Sequence, residues 1–338
     1  MKKWIKLGIS LVAVLTMAVS VQAAEWNFYG SARVETFWED KDIADTTSLD
    51  MALQENARIG AKVTVSDDLK ARFEYGTKGG SANIRQLWGE WNFGAGKFLV
   101  GQTYTPIYTV YSNSAYDDGG ALEGYGATSA SRKAMLRLSF GGLQIAAVEP
   151  GTDALTGTAT EVTMPKMELA YTAKFDAVDV KLAGGYQSYE IDSAYDINSY
   201  VLSIGAKAKF GAAYLAGSFF TGQNLEPYGF KFASDVDPAL TGTSGVDDSE
   251  EFGYHLVAGY KLNDMLTLEA GYGYLEAELD QSGSREDDAS QYYLQGKITL
   301  APGVYVVPEI GVVDEGKDSS GTEEEETTYF GAKWQINF

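Results

Sequence analysis

A two-residue alternation of apolar and polar side chains recurs along most of this chain, and no other feature restricts its fold as much. In Thr328 to Phe338 one face holds Phe330, Ala332, Trp334, Ile336 and Phe338, and the other holds Tyr329, Gly331, Lys333, Gln335 and Asn337. A period of two belongs to a β-strand, whose successive side chains point to opposite sides. The pattern appears early in Trp26, Phe28, Ala32, Val34 and Trp38 against Asn27, Tyr29, Ser31, Arg33 and Glu35. It returns in Ala57 to Val65, Ala71 to Tyr75, Met167 to Phe175, Phe252 to Leu262 and Tyr292 to Leu300. Each such strand has one dry and one wet face.

The connections alternate as well. Short turns fall at Ser66 to Leu69, Gly94 to Gly96, Gly141-Gly142, Asp176-Ala177, Gly211, Asn263 to Met265 and Ala301 to Gly303. Long polar stretches fall at Glu39 to Asp50, Lys78 to Asn83, Tyr104 to Ser131, Pro150 to Thr163, Tyr189 to Ile197, Thr221 to Glu250, Leu279 to Ala289 and Asp314 to Thr327. Seven turns and eight loops give 16 strands. Ala212 to Gln223 and Val304 to Val313 alternate ambiguously, and Pro308 removes a ladder donor, so 14 and 18 strands stay open. Short turns on one rim and long loops on the other are the asymmetry of bacterial outer-membrane barrels.

The surroundings of the dry face follow from the rest of the chain. Lys2, Lys3 and Lys6 precede an uncharged run from Leu7 to Val21 and then Gln22-Ala23, which reads as an export signal over residues 1–23, removed to leave a barrel domain over 24–338. Beyond it no apolar run reaches spanning-helix length, so a membrane-resident chain of this kind has to be a closed barrel. A soluble β-sandwich would alternate too. With 22 Tyr and 15 Phe, many near strand ends, the chain instead fits the interfacial aromatic girdles of a barrel. The expected fold is an all-β transmembrane antiparallel barrel in the outer membrane of a Gram-negative bacterium, surrounded by lipid and lipopolysaccharide.

Three stretches carry a resemblance to a family: Trp26-Asn27-Phe28-Tyr29-Gly30, the run NIRQLWGEWNFGAGKFLVGQTYTP from Asn83 to Pro106, and YFGAKWQINF at the C-terminus. In order and spacing along nearly the whole chain they resemble the general trimeric porins of Gram-negative outer membranes. That resemblance implies a homotrimer, passive diffusion of small hydrophilic solutes and ions, and an infolded third loop, here Tyr104 to Ser131, that narrows the pore with Asp117, Asp118 and Glu123. It also implies a strand-four arginine in the lumen, matched by Arg85. The aromatic face Phe330, Trp334, Ile336 and Phe338 is read as the signal to the barrel-assembly machinery.

By alternation the basic wall opposite that loop is Arg33, Arg58, Lys62, Arg72, Arg137 and Lys333, joined by Arg85 and Arg132, whose register the sequence leaves open because Trp88 and Trp91 fall on opposite faces. Asp and Glu outnumber Lys and Arg 47 to 26, which points to a preference for cations. The acidic loop runs at Asp247 to Glu251, Glu286 to Asp288 and Glu323 to Glu326 are candidate divalent-cation or solvation surfaces without a calcium-loop spacing. No cofactor is expected. With no cysteine and a single histidine, His255, on an expected inward face, nucleophilic and metal-centred catalysis have little to build on. The acidic balance argues against nucleic acid. The alternative function is a channel specific for a sugar or organic acid; a sugar channel would be expected to line its lumen with a row of aromatics.

Overall fold

The computed structural model describes residues 24–152, 159–192, 195–230, 239–241, 245–280 and 286–338, so the export-signal reading of 1–23 lies outside the described residues. One antiparallel sheet holds 18 strand segments that close into a ring of 16 strands, because two ring members are each broken in two. In chain order they are β1 (Glu25–Lys41), β2 (Thr46–Leu53 and Arg58–Thr64), β3 (Leu69–Gly76), β4 (Asn83–Asn92), β5 (Lys97–Tyr104), β6 (Arg132–Phe140), β7 (Leu143–Val148) and β8 (Lys166–Phe175, prolonged by Thr160–Glu161). The second half is β9 (Val178–Ile191), β10 (Tyr195–Phe210), β11 (Ala213–Gln223), β12 (Ser249–Lys261), β13 (Leu266–Leu279), β14 (Asp287–Ala301), β15 (Val304–Asp314) and β16 (Glu326–Asn337). The ring shuts where β1 pairs with β16 from Ser31↔Asn337 to Lys41↔Thr327. Gly30 and Phe338 exchange backbone bonds of 2.6 and 3.0 Å just beyond that ladder.

Side-chain exposure follows the alternation. Phe330, Trp334 and Ile336 are 55, 50 and 54% exposed, whereas Tyr329, their neighbour on the opposite face, is 0%. Outward aromatics gather at strand ends, with Phe140, Phe175 and Phe210 beside the short turns. Toward the loops Trp38 stacks on Phe330 at 5.4 Å, and Tyr186 pairs with Tyr200 across β9 and β10. Among the described residues no helix is long and apolar enough to cross a membrane.

All seven short turns fall where the sequence places them, but two loops shrink. Residues Glu39 to Asp50 and Tyr189 to Ile197, read as loops, are mostly strand: β1 and β2 stay paired from Val34↔Leu53 out to Lys41↔Thr46, and β9 and β10 out to Ile191↔Tyr195. The β1–β2 extension is exposed at every residue of Thr46–Leu53 but Asp50, so both its faces meet water and it continues without apolar alternation, whereas the β9–β10 extension buries Tyr189, Ile191 and Ile197 on one face. Pro308 takes its expected place in β15. The β14–β15 pairing lapses between Gln295↔Glu309 and Ile298↔Val306, in unchanged register, across its missing N–H, while the β16 side stays paired through it.

β4 has the irregularity that hides its register. Glu74 pairs with Gln86 but Tyr75 with Ile84, so Arg85 is the extra residue of a bulge. Arg85 and Gln86 therefore both face inward, 6 and 5% exposed, while Ile84 and Leu87 face out at 45 and 50%.

If the outward face meets lipid, Leu294→Arg, midway along β14, should lower barrel stability by roughly 2–4 kcal/mol. Denaturant unfolding from lipid vesicles would read this, and an unchanged midpoint would argue against lipid contact there.

Candidate functional site

The segment between β5 and β6, residues 105–131, is tied to the inward face by buried acceptors on five strands of the ring. The Ile107 N–H donates to Glu168 of β8 at 3.3 Å, the Tyr111 N–H to His255 Nε2 of β12 at 3.2 Å, and the Asn113 N–H to Glu269 of β13 at 2.8 Å. The Ala115 N–H donates to Glu309 of β15 at 2.6 Å and the Asp118 N–H to Glu35 of β1 at 3.1 Å. As residue number rises along the segment, its partner moves round the ring from β8 to β1. Glu168, Glu309 and Glu35 are 2, 4 and 3% exposed, so each carboxylate exchanges water for strand-spaced amide donors.

The far end of this segment is fixed most firmly. β2 breaks at Gln54–Ala57, which frees the Glu55 N–H to donate to Asp118 Oδ1 at 2.7 Å, while the Asn56 amide donates to the Asp118 carbonyl at 2.6 Å. Tyr116 stacks on Tyr329 with ring centroids 3.7 Å apart, and Phe37 meets both rings edge-on. Asp117 and Asp118 hold φ of 49° and 58°, and Ala121 and Leu122 hold 56° and 63°. Four non-glycine residues in left-handed backbone mark a tip whose shape is imposed by its surroundings.

Across from the tip the walls are basic. Glu74, 0% exposed on β3, accepts from Arg85 at 3.0 Å, from Arg72 at 2.8 Å, from Arg58 at 3.5 Å and from the Tyr29 hydroxyl at 2.8 Å. One carboxylate thus holds three guanidiniums and leaves them net positive. Arg33 donates to Asn56 Oδ1 at 2.8 Å, and Arg132 donates to the Tyr104 hydroxyl at 2.9 Å and lies over that ring. Among the described residues neither has a carboxylate within ion-pair distance.

Tip and wall enclose a cavity of about 940 Å³, lined by Arg33, Arg58, Arg85, Arg132 and Lys333 on one side and Asp117, Asp118 and Glu123 on the other. Basic lining side chains outnumber acidic ones seven to five, with Lys78 and Lys297 on the basic side and Glu55 and Glu269 on the acidic. Three expected wall residues stand apart: Arg72 turns to Glu74 and Tyr29, Arg137 lies 4.0 Å from Glu90, and Lys62 is exposed outside the lining. Glu123 accepts from the Tyr108 hydroxyl at 2.6 Å. Burial pushes the Asp118 carboxyl up, with Glu55 and Asp117 adding to it and the Glu55 N–H opposing.

Sequence reasoning did not single out Glu74, Lys297 or the buried acceptors Glu168, Glu269, Glu309 and Glu35. All sit on wet faces of the alternation, where they looked like solvated lumen residues. His255 is inward as expected but fully buried, its Nδ1 paired with Ser218 Oγ at 2.9 Å while Nε2 accepts from Tyr111. Nε2 holds the segment directly, and Nδ1 meets it through Ser218, whose Oγ donates to the Thr109 carbonyl at 3.3 Å. Among the described residues no group of three or more His, Cys, Asp or Glu could hold a metal ion, so the acidic loop runs carry no built cation site there.

A family model described as Gram-negative porin matches residues 10–318. Among solved structures, the outer membrane channel DcaP of Acinetobacter baumannii superposes with a TM-score of 0.78 at 15% identity, over 95% of this chain and 100% of that one. The anion-selective porin from Comamonas acidovorans gives 0.62 at 14%, over 93 and 100%. OmpT of Vibrio cholerae, folded in vitro in its trimer form, gives 0.62 at 18%, over 94 and 100%. At these identities the likeness is one of fold. No curated protein matches the chain.

Two outcomes follow from this geometry. Glu74→Gln leaves three crowded guanidiniums without their shared carboxylate and should cost roughly 3–5 kcal/mol, read as a lower unfolding midpoint in denaturant. Asp118, its pKa raised by burial, takes up its proton above the ordinary aspartate range. The docked tip is therefore favoured by acid and loses that contribution as pH rises through the raised value. Titrating the reversal potential downward from neutral pH should show a step toward anions that begins above the ordinary aspartate range and is missing in Asp118→Asn; the same step in both proteins would remove the assignment.

Proposed function

The chain belongs to the Gram-negative porins, and from that membership we propose that this outer-membrane channel passes small hydrophilic solutes and ions by passive diffusion. The observation that carries the reading is the 940 Å³ polar cavity between the Asp117–Glu123 tip and the arginine wall, inside a ring too wide for its own side chains to fill. The tip acts as the constriction. Its inward course is supported by five successive wall acceptors, from Glu168 round to Glu35.

Selectivity has two opposed contributions. A formal charge of -21 draws cations toward the mouths, and this is the basis of a cation preference. At the waist Arg33 and Arg132 have no carboxylate partner among the described residues and the lining is basic on balance, which favours anions where the path is narrowest. The same guanidinium group is the one observation favouring the second reading, a channel specific for an organic acid.

Residues 1–23 serve as the removed export signal, and the exposed face Phe330, Trp334, Ile336 and Phe338 engages the assembly machinery. The functional unit is a homotrimer in lipid and lipopolysaccharide. It is supported by the trimer form of OmpT and by small outward residues such as Ala32 and Ala71.

Planar-bilayer recording of the refolded protein tests the reading: non-saturating conductance in steps of three supports a trimeric diffusion pore, and saturable block by one organic acid would replace it with the specific channel. Replacing Arg33 and Arg132 together by Gln should move the reversal potential toward cations. An unmoved value would show that these two side chains do not set selectivity.

A further inference from the structure

The cavity is one-sided. Its lining comes from β1, β2, β4, β5, β6, β11 and β13–β16 together with the 105–131 segment, and nothing from β7–β10 reaches it. That side of the interior is filled instead by Asn224–Phe230, which follows β11. Leu225, Tyr228 and Phe230 are 0, 0 and 6% exposed and pack on Ala170, Ala183, Val201 and Phe220, inward residues of β8 to β11, and on Ile107. These inward positions are apolar where a water-filled lumen would favour polar ones. A side chain at inward-facing Gly185 would run into Tyr228 and Ile107 at 2.7 Å, so the wall itself is hollowed to receive the segment.

Charged groups hold it in place. Fully buried Lys166 donates to the Pro227 carbonyl at 2.8 Å and sits 4.6 Å over the Tyr228 ring. Glu251, 5% exposed, accepts the Leu225 N–H at 3.1 Å, and the Asn224 amide donates to Asp248 at 2.7 Å. A buried charge whose partner is a loop backbone would be left unpaired if that loop swung away, which makes departure costly.

We propose that Asn224–Phe230 is a second, permanent closing element, with Tyr228 and Phe230 as size-determining residues that shut the β8–β10 side of the ring and send every solute along the arginine side. The proposal rests on the channel reading. It concerns which side of the lumen is wet.

The chain has no cysteine, so an introduced one is the sole thiol. Val201→Cys places it on the wall beneath the segment and Lys297→Cys in the cavity lining. In protein inserted in liposomes, a charged methanethiosulfonate should add its mass to the residue-297 variant and leave the residue-201 variant unlabelled. Adding Tyr228→Gly and Phe230→Gly to Val201→Cys should make that thiol reactive, raise conductance and admit larger sugars in liposome swelling. Labelling of Val201→Cys at the rate of Lys297→Cys with the segment intact would overturn the proposal, as would unchanged conductance and size limit in the glycine variant once its inserted barrel is verified by circular dichroism. Because labelling is read by mass, it tests the closed side independently of current; a wild-type protein that inserts but does not conduct would sink the channel reading alone.

Discussion

The whole structure depends on the backbone ladder closing between β1 and β16. In hydrocarbon an unpaired strand edge leaves a row of amides and carbonyls without water, each costing several kcal/mol, so an open sheet of this length could not reside there. Closure fixes the outward face as apolar and the inward face as polar, because each strand alternates. It also creates an interior with more room than side chains can occupy. Everything functional here is a way of dividing that interior.

The division is made with buried acids whose partners are loop amides. Glu168, Glu269, Glu309, Glu35 and Glu251 would be expensive inside a protein if left bare, and so would the amide groups of a segment held off the solvent. Set against each other, two costs cancel and the segment acquires one register along the wall. Arginine is treated differently. Three guanidiniums share Glu74, and Arg33 and Arg132 face the cavity on neutral acceptors, so positive charge is kept at the water path while negative charge is used up in construction. Carboxylates and guanidiniums that alternation assigns to one wet face therefore have opposite roles.

That distinction explains what the sequence could and could not convey. The ring was readable because lipid imposes a period of two on every strand, and even β15 with Pro308 keeps its place. Arg85 could be aligned only by resemblance, since a bulge puts two consecutive polar residues inward and no periodic pattern signals a skipped pairing. Loop lengths at Glu39 to Asp50 and Tyr189 to Ile197 were overread: the first hairpin continues into water, where alternation has no cause, and the second alternates only briefly, with Tyr189, Ile191 and Ile197 buried on one face. Leu225, Tyr228 and Phe230 lay within a long polar stretch and looked like incidental apolar residues; only their contact with Ala183 and Val201, distant in sequence, shows what they fill. The short inward side chains of Ala170 and Ala183 were the available signal, since an empty lumen has no need of them.

Total charge is a poor guide to such a channel for the same reason. Of the acids that make the chain strongly negative, Asp248 and Glu251 hold an inward segment, and Glu269 is bound by Asn113, Tyr293 and Gln295. A solute at the waist meets the field of groups within about a Debye length, roughly 8 Å at physiological salt, weighted by low-dielectric walls. Among the side chains that line the cavity the basic outnumber the acidic seven to five, whatever the count around the outer rim. The local sign is set by which charges the fold has already neutralised, and counting residues cannot supply that.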